Sequence, residues 1–475
     1  GGEDWTPIRG QHSEPIDTED RPKLQKELSR QAKKLGISAT AGLGALFVPL
    51  ADKHLKPGGR IAFVLPIALA SGESWGAVRK YLADRYHLEI VITSHDPSRT
   101  NFSENTDLSE LLFVARKLKT GEKAGETRYV TLRRNPTTIH EALDTASRIS
   151  VALRELDGTR KATAIRGSGR ILGEVTSLPA PQGTENWTSA IFSQSYLAQA
   201  HWHLVKDKAL VLPGTAKKHP LSLCRLDELG GLGYDVRDIT DAFEVDRTAS
   251  QWTPYPGFWD HDAENVVQIA QKANAFLTAR TKAIEGRNLK NATAVWDKAG
   301  SILLVSRLRT NTHKVVATGF DQAVLGNTWW AFKDEGLTGE QRKALLIWLN
   351  CSLGLLLYFG RRAITQGAWM QMKKPAWEGM PVLDVRSLGA ERLAKLATAY
   401  DKLSTKPLHP LAQLEADPTR LKMDEAICNA LGLPSLAPIR DLLVREPGLT
   451  GRDVSGDAAT TSQVIEPNSD AELDD

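Results

Sequence analysis

The clearest hydrophobic pattern lies between residues 43 and 132, where helix-spaced apolar positions alternate with short apolar runs. The first set of apolar positions recurs at helical spacing: Leu43, Leu46, Phe47 and Leu50. Pro49 must bend this helix or lie near its start. The apolar run Ile61–Leu65 follows and has the length of a strand. Because strands that are apolar on both faces are typical of parallel sheets covered by helices, the pattern predicts an α/β domain.

The turn that joins this helix to the strand has the sequence LKPGG, residues 55–59. Pro57 cannot continue a helix, whereas Gly58 and Gly59 can adopt the positive φ of a helix C-cap. The turn therefore predicts a direct passage from helix to buried strand.

One further helix and three further strands extend the pattern. They are predicted at Trp75–Tyr86 for the helix, and at Leu88–Thr93, Leu111–Arg116 and Thr127–Leu132 for the strands. The last strands follow one another without helices. We therefore predict the C-terminal half of a doubly wound, Rossmann-like sheet that ends in an antiparallel hairpin.

The domain boundaries follow from changes in composition along the chain. Residues 1–150 hold the first sheet, and residues 175–390, where tryptophans and basic pairs accumulate, form a mixed α/β domain. Residues 391–450 have a helical pattern. Residues 451–475 form an acidic tail, which is predicted to be disordered.

The charge distribution is uneven along the 475 residues, although the net charge is only +3. The tail after Arg452 carries seven acidic residues and no Lys or Arg, so the rest of the chain is more basic than the total indicates. This balance is equally typical of a polyanion-binding protein and of an ordinary enzyme.

Cysteine usage and hydropathy argue against a disulfide-rich, a zinc-binding and a membrane protein. Cys224, Cys351 and Cys428 are isolated, which excludes a disulfide scaffold or a Cys-rich zinc site and indicates a reducing compartment. No other metal motif is present. The longest apolar run, Ala344–Phe359, is shorter than a bilayer span and contains Asn350, so it predicts a buried helix. No signal peptide is present, and we expect a cytoplasmic location without membrane contact.

The segment Leu43–Lys117 resembles the second half of the catalytic domain of gamma-class adenine-N6 DNA methyltransferases, as found in type I and type IIG restriction-modification systems and in Taq-type enzymes. The resemblance rests on the order of its parts: a helix, LKPGG, a strand ending in VLP, a helix with RKYL, a strand, a loop phenylalanine and a strand ending in ARK. It implies S-adenosyl-L-methionine as cofactor, double-stranded DNA as substrate, and further restriction-modification or defence subunits as partners.

Phe102, in TNFSEN, matches the family's loop aromatic that stacks on the target adenine after the base is rotated out of the duplex. An aromatic face restores part of the stacking that an extruded base loses. The alternative is that Phe102 only anchors its loop to the core.

Residues 175–390 resemble, more loosely, the family's target-recognition region. Six basic residues are the DNA-contact candidates: Arg307, Arg309, Arg361, Arg362, Lys373 and Lys374. The alternative for these residues is a solvated surface. For three tryptophans of this region we favour a core position over a site: Trp329, Trp348 and Trp377.

Two signatures of the family are missing. The chain has no Pro-Pro dipeptide, so it lacks the Asn-Pro-Pro-Tyr or Asn-Pro-Pro-Phe turn that holds the target amine. Its glycine pairs follow no convincing strand, and we interpret them all as turns: Gly42/Gly44, Gly167/Gly169 and Gly231/Gly233. Both signatures precede LKPGG in the family. Since the first methionine is Met370, we expect an N-terminally truncated enzyme with no catalytic residue of its own and most of the cofactor site missing.

Three hypotheses result. The leading one is a fragment of an S-adenosylmethionine-dependent adenine-N6 DNA methyltransferase of a restriction-modification or phage-defence system. The second is a non-catalytic DNA-specificity module that works with a separate catalytic chain. The third keeps the fold but takes RNA or protein as the substrate. The sequence leaves the recognition sequence, an attached nuclease and the oligomeric state open.

Overall fold

The computed structural model describes residues 20–96, 101–103, 109–156, 161–167, 169–248, 255–259, 263–364 and 369–450. The first part of the chain builds a six-stranded sheet with helices on both faces. Its helices are α1 (Arg21–Lys34), α2 (Leu43–His54), α3 (Ala68–Ser71), α4 (Gly76–Arg85) and α5 (Ile139–Glu155). Its strands are β1 (Arg60–Pro66), β2 (Tyr86–Ser94), β3 (Glu110–Lys117), β4 (Glu126–Leu132), β5 (Ala162–Arg166) and β6 (Ile171–Pro179).

The strand order of this sheet is β1-β3-β2-β4-β6-β5. β3 runs antiparallel to both β1 and β2, β2 is parallel to β4, and β6 is antiparallel to β4 and β5. The predicted α/β class is confirmed. The last two predicted strands, β3 and β4, do not form a hairpin with each other, because β2 lies between them in the sheet. The sheet continues to Pro179, so its last two strands lie beyond residue 150, where the sequence pattern placed the domain end.

The LKPGG turn is fixed by the far end of β3. Gly58 has φ +83°, and its N–H donates to the carbonyl of Lys117 over 2.8 Å. The N–H of Lys117 donates to the carbonyl of Gly59, also over 2.8 Å. The Lys117 ammonium donates to the carbonyls of Asp52 and Leu55, at the C-terminal end of α2. A cation there interacts favourably with the helix dipole, so the turn, helix and sheet stabilise one another.

The two faces of the sheet have different cores. Helices α2, α3 and α4 pack on one face, where Val48, Leu69 and Val78 are fully buried beside Phe113 of β3. Helix α5 covers the other face over β4, β5 and β6, in a smaller cluster around Val130.

In the second part of the chain, the described residues form one seven-stranded sheet and three smaller sheets. Its helices are α6 (Ser195–Lys206), α7 (Val236–Ala242), α8 (Ala292–Trp296), α9 (Gly339–Asn350), α10 (Ser352–Phe359) and α11 (Lys374–Glu378). Its strands are β7 (Ala209–Val211), β8 (Lys218–Pro220), β9 (Leu223–Arg225), β10 (Gly230–Leu232), β11 (Phe243–Asp246), β12 (Pro256–Phe258), β13 (Ala275–Ala279), β14 (Gly300–Val305), β15 (Arg307–Arg309), β16 (Ala317–Gly326), β17 (Trp329–Asp334), β18 (Ala363–Ile364), β19 (Trp369–Gln371) and β20 (Pro381–Leu383). The sheet orders are β10-β17-β14-β16-β12-β13-β11, β15-β19-β18, β20-β9 and β7-β8. The core prediction for Trp329, Trp348 and Trp377 is confirmed, since each is at most 4% exposed.

The apolar run 344–359 is not one buried helix, as the sequence predicted, but parts of α9 and α10, which meet at an angle of 64°. Two polar residues at the break explain the difference. Asn350 accepts from the N–H of Val316 and donates to the carbonyl of Ala317, both next to or in β16. Ser352 donates its hydroxyl to Asp424 over 2.6 Å. Among the described residues no single helix is long and apolar enough to span a membrane, although this bent, buried pair passes that test jointly.

Four helices end the described chain: α12 (Ala390–Leu403), α13 (Pro418–Leu431), α14 (Ala437–Leu443) and α15 (Pro447–Thr450). The buried carboxylate of Glu446, just before α15, accepts hydrogen bonds from the backbone N–H and the hydroxyl of Ser193, at 3.0 and 2.9 Å. The C-terminal helices are therefore fastened directly to the segment that follows the first sheet. The predicted disordered tail, 451–475, lies outside the described residues.

Candidate nucleic-acid interface

One edge of the first sheet gathers the ends of three strands that run in the same direction. β1 and β2 are both antiparallel to β3, and β4 is parallel to β2. The segments that follow β2 and β4 therefore start at the same edge. In open α/β sheets, ligands bind outside the carboxyl ends of the strands, so this edge is the expected position of a ligand-binding site.

Phe102 lies in the segment after β2 and is half-buried. One side of it packs against the small apolar cluster under α5, together with Ile90 and Ile92 of β2. Its position is set by Glu110, at the start of β3, whose carboxylate accepts the backbone N–H groups of Phe102 and Ser103, each at 2.8 Å. The backbone at Phe102 is therefore held in place, and the residue remains partly exposed.

Asn135 connects the segments that follow the two parallel strands. Its backbone N–H donates to the carboxylate of Asp96 over 3.1 Å, and its side-chain amide donates to the carbonyl of Asn101 over 2.7 Å. Asn135 is only 3% exposed. The sequence pattern did not single out Asn135. Its position shortly after β4, a strand parallel to β2, is the signal that it meets the Phe102 segment.

The edge thus combines a partly exposed aromatic ring with carboxylate and amide groups: Phe102, Asp96, Asn101 and Asn135. A ring of this kind can stack on a planar ligand. Asp96 and Asn135 are 9% and 3% exposed, and their hydrogen bonds fix the segments beside the ring. His95, next to Asp96, has its pKa lowered to about 4 by burial and by the positive charge of Arg362. It is therefore neutral at physiological pH. No cluster of potential metal ligands occurs among the described residues.

The glycine pairs do not form a cofactor cradle in the described residues. Gly42 has φ +82° and caps the start of α2, and Gly169 has φ +75° in the β5–β6 turn. Gly231, which the sequence interpretation also placed in a turn, lies instead within β10, paired with Lys333 of β17. None of these pairs joins a strand to the N-terminus of a helix, which a nucleotide-type cofactor requires. Among the described residues, the glycine pairs therefore give no turn for S-adenosylmethionine.

Arg307 and Arg309 lie on β15 and are both exposed, while Leu308 between them is fully buried. β15 pairs with β19, which places Gln371 opposite Arg307. Because side chains alternate along a strand, the two arginines share one face of this small sheet with Gln371. These residue types can contact phosphates and base edges.

The two predicted lysines differ in their surroundings. Lys373 is exposed at the start of α11. Lys374 is half-buried, and its ammonium donates to the carbonyls of Leu232 over 2.9 Å and Gly233 over 3.4 Å. Lys374 therefore ties α11 to β10, and Lys373 is the one that presents its charge to solvent.

Arg361 and Arg362, adjacent in sequence, also have different roles. Arg361 is half-buried, and burial, assisted by Arg225, lowers the pKa of its guanidinium to about 10. Arg362 is only 3% exposed and donates to the carbonyls of Phe359 and Ile191. Its guanidinium also lies 4.8 Å from the centre of the Phe359 ring. Arg362 was predicted to contact DNA, but in this structure it has no exposed guanidinium to offer and instead joins α10 to the segment before α6.

No family model matches the chain. No curated protein matches it either. Among solved structures, it is similar to the type IIL restriction-modification enzyme MmeI in complex with DNA, with 10% identity over 89% of this chain and 54% of that one, at a TM-score of 0.42. It is also similar to the type IIG restriction endonuclease BpuSI, with 12% identity over 89% of this chain and 52% of that one, at a TM-score of 0.32.

A shorter match is to the methyltransferase subunit of a type I restriction-modification system from Streptococcus thermophilus. It has 17% identity over 27% of this chain and 26% of that one, at a TM-score of 0.19. The chain spans about half the length of the first two structures.

Proposed function

We propose that this chain is the later part of an S-adenosylmethionine-dependent adenine-N6 DNA methyltransferase of a restriction-modification or phage-defence system. In the intact enzyme it would supply the second half of the catalytic sheet and the domain that recognises duplex DNA. Phe102 would receive the extruded adenine on its face, and the basic face of β15 would contact the duplex. The cofactor and the residues that hold the target amine would come from a preceding part.

The observation that carries this proposal is the position of Phe102. It lies at the carboxyl edge of the sheet, half-buried, with its backbone fixed by Glu110 and with Asp96 and Asn135 beside its segment. An aromatic ring held this way loses little conformational freedom when a base stacks on it. Of the motif parts that gave the resemblance, the VLP end of β1 lies at the same edge as Phe102, because Pro66 pairs with Glu110, whereas LKPGG and ARK lie at the opposite edge.

The outer edge of β1 supports the idea of a missing half. β3 is the one strand that pairs with β1 among the described residues. Beside this open edge Phe47 and Leu50 of α2 are each 49% exposed, and Val64 of β1 is 39% exposed. An unpaired strand edge flanked by exposed apolar side chains is a surface that another strand and helix can cover. We infer that the preceding half of the catalytic sheet pairs with this edge.

The experiment is to read the coding DNA upstream of the Gly1 codon in frame, and to express the entire frame in a host without its own adenine methyltransferases. We expect an Asn-Pro-Pro-Tyr or Asn-Pro-Pro-Phe codon run shortly before Gly1. Single-molecule sequencing of the host DNA should then show N6-methyladenine at a defined motif. The same frame carrying Phe102→Ala is the matched control, and its methylation should fall sharply.

The opposite result favours a different class. If no catalytic turn is encoded upstream and the full frame leaves adenine unmodified, methyl transfer to DNA adenine is excluded. Duplex binding with a steep salt dependence but no binding of S-adenosylmethionine would then identify a DNA-specificity module. Competition by structured RNA at equal strength would instead point to an RNA substrate.

A further inference from the structure

Helix α1 is amphipathic, with a narrow apolar side. At about 100° per residue, Leu24, Leu28 and Ala32 fall on one side of the helix. Ala32 is 2% exposed, and this side faces the start of α2 and a short 3-10 helix, Ala39–Ala41. The protein therefore covers the C-terminal part of this side, whereas Leu28 is half-buried and Leu24 is 40% exposed.

The opposite side of α1 carries a basic stripe. Its members fall within about 100° of arc on the helical wheel and are all exposed: Lys23, Lys26, Arg30, Lys33 and Lys34. The stripe is about 16 Å long, from the rise of 1.5 Å per residue. Glu27 is the single acidic residue of the helix.

Carboxylates neutralise only part of this stripe. Lys23 pairs with Asp20 at 3.0 Å, and Arg30 pairs with Glu27 at 2.6 Å. Lys34 lies close enough to Glu27 to help lower the pKa of its carboxyl group, after the hydrogen bonds from Arg30 and Gln31. Lys26 and Lys33 have no ion-pair partner within the part of the chain that the structure describes.

The spacing of the positive charges within the stripe destabilises α1. Lys26 and Arg30 are four residues apart, as are Arg30 and Lys34, and like charges at this spacing destabilise a helix. A basic stripe that opposes its own helix is best explained by an external polyanion that compensates the charge. An anionic membrane is a poorer candidate, because interfacial helices insert a wide apolar face, whereas the apolar side of α1 is narrow and Ala32 at its C-terminal end is packed on the protein.

We propose that the basic stripe of α1 lies along the phosphate backbone of duplex DNA. This inference rests on the proposed function, because it assumes that the chain binds duplex DNA. Phosphates follow one another about every 3.4 Å of duplex axis along one strand, so a stripe of this length meets several of them. Such contacts carry no sequence information. The stripe would hold the duplex in position while other residues read the bases.

The test compares two triple variants of the full chain. Lys26→Gln/Lys33→Gln/Lys34→Gln removes three charges from the stripe and leaves both of its ion pairs in place. Lys402→Gln/Lys406→Gln/Lys422→Gln removes three exposed charges from the C-terminal helical region and is the matched control. Both variants change the net charge equally, so any difference between them is local. Circular dichroism checks that α1 remains folded, and binding of a fluorescent duplex is measured from 50 to 300 mM salt.

We expect the stripe variant to reduce the slope of log K against log[salt] by about 0.9 per lost contact, hence by about 2–3, and the control to leave it unchanged. Affinity near 0.1 M salt should fall roughly tenfold or more. Lys26→Arg/Lys33→Arg/Lys34→Arg should restore the slope. If the chain binds duplex with a steep salt dependence and the stripe variant behaves like the control, α1 is not a phosphate contact, while the proposed function stands. If the chain does not bind duplex at all, both fail.

Discussion

Phe102 has two possible roles that a single substitution separates. Leucine keeps an apolar side chain against Ile90 and Ile92 but has no aromatic face. In an intact enzyme we expect Phe102→Leu to weaken capture of the flipped base by roughly 1–3 kcal/mol, the cost of one lost base-aromatic stack. Stability in denaturant should change little, and Phe102→Tyr should retain capture. Fluorescence of 2-aminopurine at the target position measures capture of the flipped base. Equal fluorescence in Phe102→Leu and the unaltered enzyme would make Phe102 only a loop anchor.

His201 makes stability depend on pH. It is 2% exposed, and burial, assisted by the charge of Arg361, lowers its pKa to about 3. In the unfolded chain the pKa of a histidine is about 6.5. Below that pH the unfolded chain therefore binds a proton that His201 in the folded chain does not bind. The stabilising contribution is therefore complete above about pH 6.5 and is lost as pH falls towards 3, by about 1.4 kcal/mol per pH unit.

The expected outcome is a difference in slope. Between pH 6.5 and pH 4.5, the free energy of unfolding of the unaltered chain should fall more steeply than that of His201→Leu, since leucine has no proton to bind. Urea unfolding at four or five pH values measures both slopes. Parallel curves would show that His201 accepts a proton in the folded state.

At the scale of elements, α10 and α6 approach so closely that Gly360 has no room for a side chain. A Cβ at Gly360 would lie 2.0 Å from Nε2 of His201, although its φ of −66° suits any residue. We expect Gly360→Ala to lower stability by about 1–3 kcal/mol through overpacking. Gly389→Ala is the control, because its φ is −64° and its Cβ meets open space. In a double-mutant cycle, His201→Ala should recover much of the loss. Additive effects would show that the two helices separate freely.

The elements that sequence could predict are those whose apolar pattern is matched by burial. α2, α4 and β1 to β4 follow their patterns to within a few residues because each has a single buried face or is buried on both. α5 was not predicted, although its apolar positions recur at helical spacing and Ile149 and Ala152 are buried. The break between α9 and α10 depends on bonds from Asn350 to a strand more than 30 residues earlier in the chain, which no local pattern contains.

The candidate site was predictable to a similar degree. The resemblance led to Phe102, but the bonds of Asn135 to Asp96 and Asn101 exist only once β2 and β4 are paired. Arg361 and Arg362 are indistinguishable as a basic pair in sequence. Only the fold separates them: Arg362 is buried and bonds to Phe359 and Ile191, whereas Arg361 is half-buried.

For the whole molecule, the open edge of β1 predicts self-association. Phe47 and Leu50 are exposed on α2, and the outer edge of β1 pairs with no other described strand, so a second copy can cover this surface. We expect the mass from light scattering to rise with protein concentration, and Val64→Lys, which places a charge on the edge strand, to suppress the rise. Leu143→Lys, on exposed α5, is the control and should not. A constant monomer mass, or equal suppression by both variants, would contradict this expectation.

The contact between Glu446 and Ser193 joins residues 253 positions apart. During synthesis, Ser193 and the segment before α6 leave the ribosome long before the carboxylate that satisfies them exists. Domains fold from the N-terminus as the chain emerges. The first sheet can therefore fold early, before the Ser193 segment has its hydrogen-bond partner. The last described helices therefore act as the closing step of folding. In a nascent chain arrested before residue 446, the Ser193 segment would remain accessible to proteases even if both large sheets had formed.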